Sequence, residues 1–223
     1  MTPPAAATVP GSGDAPPILS EHERSVLGVV VYSCTVSSIR HAKDADRAPS
    51  MAERGEMLRM SAERVAALDG LGALAASAGA DAAAAAEPFM EALGDFDQRL
   101  RPLDWAERLL KTHLALGLLA DFCRALAAGL SEPLRGGLGG ALVEDRFTRF
   151  AAGALVPGID SDPQLAGRLG LWGRRVVGEE IGTLQRMLAS FPPLLDGAAG
   201  LGDIHAALSE GAVTRMRGLG LRY

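Results

Sequence analysis

From Ser20 onward, apolar residues recur three and four positions apart in long stretches separated by short clusters of Pro, Gly, Asp and Ser. That spacing belongs to amphipathic helices and not to strands. It predicts six or seven helices. The first covers about 21 to 46 and is closed by Pro49, and the second opens at Ser50, where Glu53 predicts a capping box, and runs to about 78. A short helical segment lies between 81 and 100 with a break at Pro88. The next helix runs from about 102 or 104 to 128 and is apolar on every side in its second half, which predicts a central position. Others are expected at 133–155, with its start pushed to about Gly140 by the glycines before it, and from Asp162 and Pro163 to Ser190. A last one is expected with Asp203 as its N-cap, after a loop over 192–202. Helices of about 20 to 28 residues are roughly 30 to 40 Å long, the length of a four-helix bundle.

Composition narrows this to an all-α fold. Ala and Leu dominate, aromatic residues are 4%, and β-branched residues are scarce, so a sandwich or barrel has little to be built from. Residues 1–19, rich in Pro, Ala and Gly, are expected to be a disordered tail, and residues 20–223 one helical bundle domain. A net charge of −5 disfavours nucleic acid or an anionic membrane as the main partner. Two cysteines are too few for a disulfide framework or a thiolate zinc site. With neither a signal-peptide pattern nor a long apolar run, the expected location is the cytoplasm, without a membrane partner.

Candidate chemistry lies among the polar residues that fall inside the apolar arcs. The first helix places Cys34, Ser37, Ser38 and His41 on its inner face, opposite Arg40, Lys43 and Arg47. The second places Arg64 near the centre of its arc and Glu63 at the edge. His113 shares an apolar face opposite Lys111, and Phe147 is central to the following arc, with Glu144 at its margin and Arg146 outside. Glu180 is surrounded by apolar residues while Glu179 lies at the edge. An inward Cys or His has an ordinary reading as a packed core residue. Inward glutamates must be paired, protonated or metal-bound, and an ion pair with Arg64 is the structural reading of Glu63, Glu144 and Glu180.

The stretch from Leu27 to Leu71, with Tyr32 and Glu63, continues through Arg101 to Trp105 (RPLDW), Leu118 to Phe122 (LLADF) and Gly167 to Glu180 (GRLGLWGRRVVGEE). Over about Ser20 to Leu221 this resembles the ferritin-like superfamily, in its tRNA-hydroxylase-like (MiaE-like) branch. The resemblance implies a four-helix bundle with one or two additional helices. In working members it also implies two irons, held by a carboxylate on each of two helices and an acidic-x-x-His pair on each of the other two. Placed on that pattern, Cys34 stands at the first carboxylate position and Leu116 near another. Glu63 and Glu144 are kept, but their His partners fall on Ala66 and Phe147. Independently of the resemblance, none of His22, His41, His113 and His205 lies three residues after an acid. The di-iron ligand set is therefore read as degenerate, with no cofactor and no metal ligands expected.

Removing the irons leaves the carboxylates in need of compensation. One reading is a metal-free pocket that binds a small, largely apolar molecule in the bundle interior. It could transform that molecule by isomerase, cyclase or lyase chemistry, with Glu144 or Glu180 as acid and His113 as base. Arg64, Glu63, Cys34, His41 and Phe147 would line the ligand. The alternative is a non-catalytic scaffold or a dimerising interaction protein; less favoured are a di-iron hydroxylase with rearranged ligands and a nucleic-acid binder. The glycine-rich segment Arg135 to Ala141 reads either as a late helix start or as a gate over one end of the bundle.

Overall fold

In the computed structural model the described residues are 19–90, 92, 99–143, 145–197 and 200–223. All but the last residue of the expected tail thus lies outside them, as does Glu144. Helix α1, Glu21–Arg47, starts at a full capping box: the Ser20 hydroxyl accepts from the Glu23 amide, and the Glu23 carboxylate accepts from the Ser20 amide at 2.9 Å. It ends at Ala48, where the backbone turns extended before Pro49. Helix α2, Met51–Ser77, returns along it. Ser50 caps the Glu53 amide as expected, but the Glu53 carboxylate takes the Ser50 hydroxyl at 2.6 Å in place of the amide.

Helix α3, Ala82–Ala86, and a 3-10 turn over Glu87–Phe89 containing Pro88 lie across α1. Helix α4, Trp105–Ala127, is the central rod: it packs on α1 and on α5, α6, α7 and α8, which span Leu134–Ala141, Asp145–Ser161, Pro163–Ser190 and Leu201–Gly218. Every residue from Leu109 to Ala120 is buried. No strand occurs among the described residues, so the all-α class stands. No helix among them is long and apolar enough to cross a membrane.

Four details differ from the sequence reading. The single helix expected over 133–155 is two, α5 and α6, and α6 runs on through Pro157 to Ser161. The glycines do not delay α5, which is helical from Leu134; Gly137 lets it approach α2, since a Cβ there would lie 2.6 Å from a Leu74 methyl. Asp203 is not the cap of α8 but its third residue, and it accepts from the amide of the capping Gly200 at 3.2 Å. Lys111 is buried and not outward, because the chain entering α4 folds back over it and the Leu100 carbonyl accepts from its Nζ at 2.6 Å.

The α1–α3 crossing depends on one glycine. A Cβ on Gly28 would stand 2.0 Å from the Ala85 carbonyl oxygen, a backbone atom that cannot rotate away. Gly28→Ala is therefore expected to destabilise the chain by about 2 kcal/mol, although alanine is the better helix former. Urea unfolding of the variant checks this; a gain in stability would show that α3 shifts at no cost.

Candidate functional site

The inner faces of α1, α2, α4 and α6 meet around an aromatic stack. The Phe147 ring, 3% exposed, lies between the two interior histidines, with centroids 4.7 Å from His41 and 6.3 Å from His113. Phe150 stacks behind it at 6.4 Å. His41 comes from the last third of α1 and His113 from the middle of α4, and both are buried. His41 Nδ1 is buried with no hydrogen-bond partner among the described residues.

The electrostatics of this interior are positive. Burial first, then the Arg64 and Arg40 guanidinium groups, push His41 down to about 3. Burial, then Arg215, pushes His113 down to about 4. Arg215 reaches inward from α8 across Gly117, held by Asp121 at 3.0 Å. Both imidazoles are thus neutral near pH 7.

Arg64 lies where its arc predicts, half-buried, and among the described residues its side chain bonds no glutamate. Its Nη1 donates to the Ala141 carbonyl at 2.9 Å, at the C-terminal end of α5, and the Cys34 thiol donates to the same oxygen at 3.6 Å. A cation on the last carbonyls of a helix is a favourable cap. Glu63 lies at the edge of its arc and borders the cavity beside His41, but not as a partner of Arg64. It is exposed and pairs with Arg146, which also grips Glu56 through two bonds of 2.7 and 3.0 Å. The reason is that α2 buries only one side, through Met57, Met60, Leu71 and Ala75, and Glu63 falls beyond that stripe, where α6 can reach it. The same bonds hold the Glu56 carboxyl below its usual range. Glu180 is buried on α7, as its arc requires.

The space left among these groups is small. A cavity of about 10 Å³ lies beside Cys34, Ser37 and Arg64, and one of about 20 Å³ beside His41, Arg64 and Phe147. Each has room for about one water molecule. Neither is lined by His113 or Glu180; Glu144, the other expected acid, lies outside the described residues.

Two buried carboxylates were not singled out from the sequence. Asp44, 1% exposed, accepts from Thr112 Oγ1 at 2.5 Å and Arg108 Nη1 at 3.1 Å. Glu107 accepts from Arg168 at 2.5 Å and from the Leu103 amide at 2.8 Å. A signal for Asp44 was present: it continues the inner polar line of Ser37 and His41 by one further step of three residues.

Two irons, which the fold family implies, are a poor fit to the described residues. No three His, Cys, Asp or Glu side chains among them are grouped so as to hold a metal ion. The centre of the stack is a Phe ring, and the cations nearest the two histidines are guanidinium groups, which oppose a further dication.

In its fold the chain is similar to a Synechococcus protein described as protein 19 with aldehyde deformylating oxidase activity. The TM-score is 0.67 at 15% identity, over 92% of this chain and 93% of that one. No curated protein matches the sequence. A family model described as ferritin-like domain, actinomycetes, matches residues 21–195. With that match spanning most of the helices that build the stack, the chain belongs to this ferritin-like family.

Proposed function

We propose that this ferritin-like chain has lost the di-iron centre of its fold and works without catalysis, as a scaffold or interaction protein, from the tRNA-hydroxylase-like branch. The observation that carries the reading is the Phe147 ring packed between His41 and His113, with a cavity of about one water's volume beside it. A general base works best with a pKa near the working pH. Histidines held at about 3 and 4 are far too weak for that, which supports the scaffold over metal-free acid–base chemistry on a small apolar molecule. The branch is supported by the motifs at Arg101 to Trp105, Leu118 to Phe122 and Gly167 to Glu180.

An interaction role has support on the surface. Met51, Leu58 and Val65 are exposed on α2 at intervals of seven residues, an apolar seam of the kind by which helices pair. A second copy of the chain, presenting the same seam, is the occupant this reading commits to.

One preparation tests both halves. Protein produced with ample iron is expected to carry well under one iron per chain by elemental analysis and to have a dimer's mass by light scattering. Two tightly held irons per chain would overturn the loss of the centre. A monomer at high concentration would overturn the pairing through α2.

A further inference from the structure

The outer face of α2 carries more than the seam of Met51, Leu58 and Val65. Gly55, Ala62 and Asp69 alternate with them, so the face reads Met51, Gly55, Leu58, Ala62, Val65, Asp69 in steps of four and three. That is the a and d pattern of a coiled-coil seam, with a large apolar residue at each d position and a small or polar one at each a position. We infer that a second copy packs on this face antiparallel, so that each large side chain of one α2 enters the gap over a small residue of the other. The inference rests on the pairing through α2 proposed above and adds its direction and register.

Gly55 is the observation that points outward. Glycine weakens a helix interior, and the chain's own packing gives no reason for this one. A Cβ there would meet only the Arg59 guanidinium, at 3.7 Å, the tip of a flexible and exposed side chain. Gly28 and Gly137 differ, since each lets another part of the same chain come close. At Gly55 a close approach from a neighbouring molecule supplies the reason.

Volume and charge then select the direction. In a parallel pair equal positions face each other, which sets Leu58 on Leu58 and leaves Gly55 on Gly55 as a gap. It also sets Asp69 against Asp69, two like charges partly removed from water. In an antiparallel pair each a position faces a d position. With the two-fold axis beside position 60, Leu58 faces the partner's Ala62, Gly55 faces the partner's Val65, and Asp69 lies beside the partner's Met51. Every large residue then meets a small one or the end of the seam. Met51 opens its helix, so Asp69 reaches the N-terminal end of the partner's α2, where unpaired amides and the helix dipole favour a carboxylate. Sliding by one heptad in one direction carries Val65 and Asp69 past the start of the partner's helix; in the other it sets Asp69 on Leu58 and Gly55 on Gly72. Arg59 flanks the axis, and its charge is met by Glu56 of its own helix at 3.2 Å.

The test applies two measurements to the full chain. Spin labels attached through Met51→Cys report direction, since Cys34 and Cys123 are both buried. The labelled positions are expected about 27 Å apart along the axis, the rise of about eighteen residues, against about 10 Å in a parallel pair. In analytical ultracentrifugation, Gly55→Leu is expected to weaken the dimer about a hundredfold, because symmetry places the clash twice. Circular dichroism should show unchanged folding, since that face is open in the single chain. Adding Val65→Ala is expected to recover most of the loss, because the larger side chain at 55 then faces a smaller one at 65. Labels lying close together in an intact dimer would overturn the antiparallel direction and leave the pairing through α2 standing. Failure of Val65→Ala to restore the dimer would overturn the register alone. A dimer indifferent to Gly55→Leu would put the contact on another face and overturn the pairing through α2 itself, as would an unaltered chain that stays monomeric.

Discussion

Lowering the pH from 8 to 5 is expected to remove about 4 kcal/mol of folding stability, nearly all of it through His41 and His113. In the unfolded chain each imidazole takes up its proton around its ordinary value of 6.5, whereas in the folded chain they do so only near 3 and 4. Between these limits the unfolded state binds more protons, so stability rises with pH. The contribution is fully present above 6.5 and is lost as the pH falls toward the folded values. At pH 5 each histidine has forfeited about 2 kcal/mol, a large share of the roughly 5–15 kcal/mol that holds a domain together. Few other groups titrate between pH 5 and 8. The lowered carboxyls of Glu23, Glu56 and Asp104 add their own acid sensitivity mainly below this window. Urea unfolding at pH 8, 6.5 and 5 measures the effect, and His113→Gln should roughly halve its pH dependence. A transition midpoint that stays level from pH 8 to 5 would mean that the imidazoles reach water and that the interior is open.

How much of this was legible beforehand depended on whether one helix or several decide a residue's surroundings. Period and punctuation are local, so the caps at Ser50 and Asp162, the closure before Pro49 and the central place of α4 follow from the residues themselves. His41, His113, Phe147 and Glu180 were also placed inward by their own helical arcs, and they are buried. The partners were not legible. Arg64 finds the Ala141 carbonyl because α5 ends beside α2, and Arg146 finds Glu56 and Glu63 because it reaches from the first turn of α6 to the exposed flank of α2. Lys111 failed differently: an arc opposite His113 points to solvent only if nothing lies there, and the segment ending at Leu100 does. A helical wheel carries no knowledge of what covers the far side. That Lys43 on α1 and Arg101 before α4 line one surface cleft was invisible for the same reason, since they are 58 positions apart and only the α1–α4 packing joins them.

Phe147→Ala is expected to cost about 4 kcal/mol, within the range for emptying a buried aromatic site. The loss has two parts. One is the transfer of a large apolar side chain that is only 3% exposed; the other is the hole left against Phe150 and the two imidazoles. Collapse cannot close that hole cheaply, because α4 is buried on all sides from Leu109 to Ala120 and cannot move toward α6 without opening another contact. The hole would also join the cavity of about 20 Å³ beside His41, giving water a place next to Nδ1, which has no hydrogen-bond partner among the described residues. Hydration there raises the His41 pKa from about 3 toward the ordinary 6.5, so the variant should be less stable at pH 8 yet lose less on acidification. Phe147→Leu keeps most of the volume and is expected to cost nearer 1.5 kcal/mol. Denaturation of both variants at pH 8 and pH 5, with the His41 ring followed by NMR titration, separates the two parts. If Phe147→Ala loses less than 1 kcal/mol while His41 still titrates near 3, the ring is not what keeps water from this imidazole.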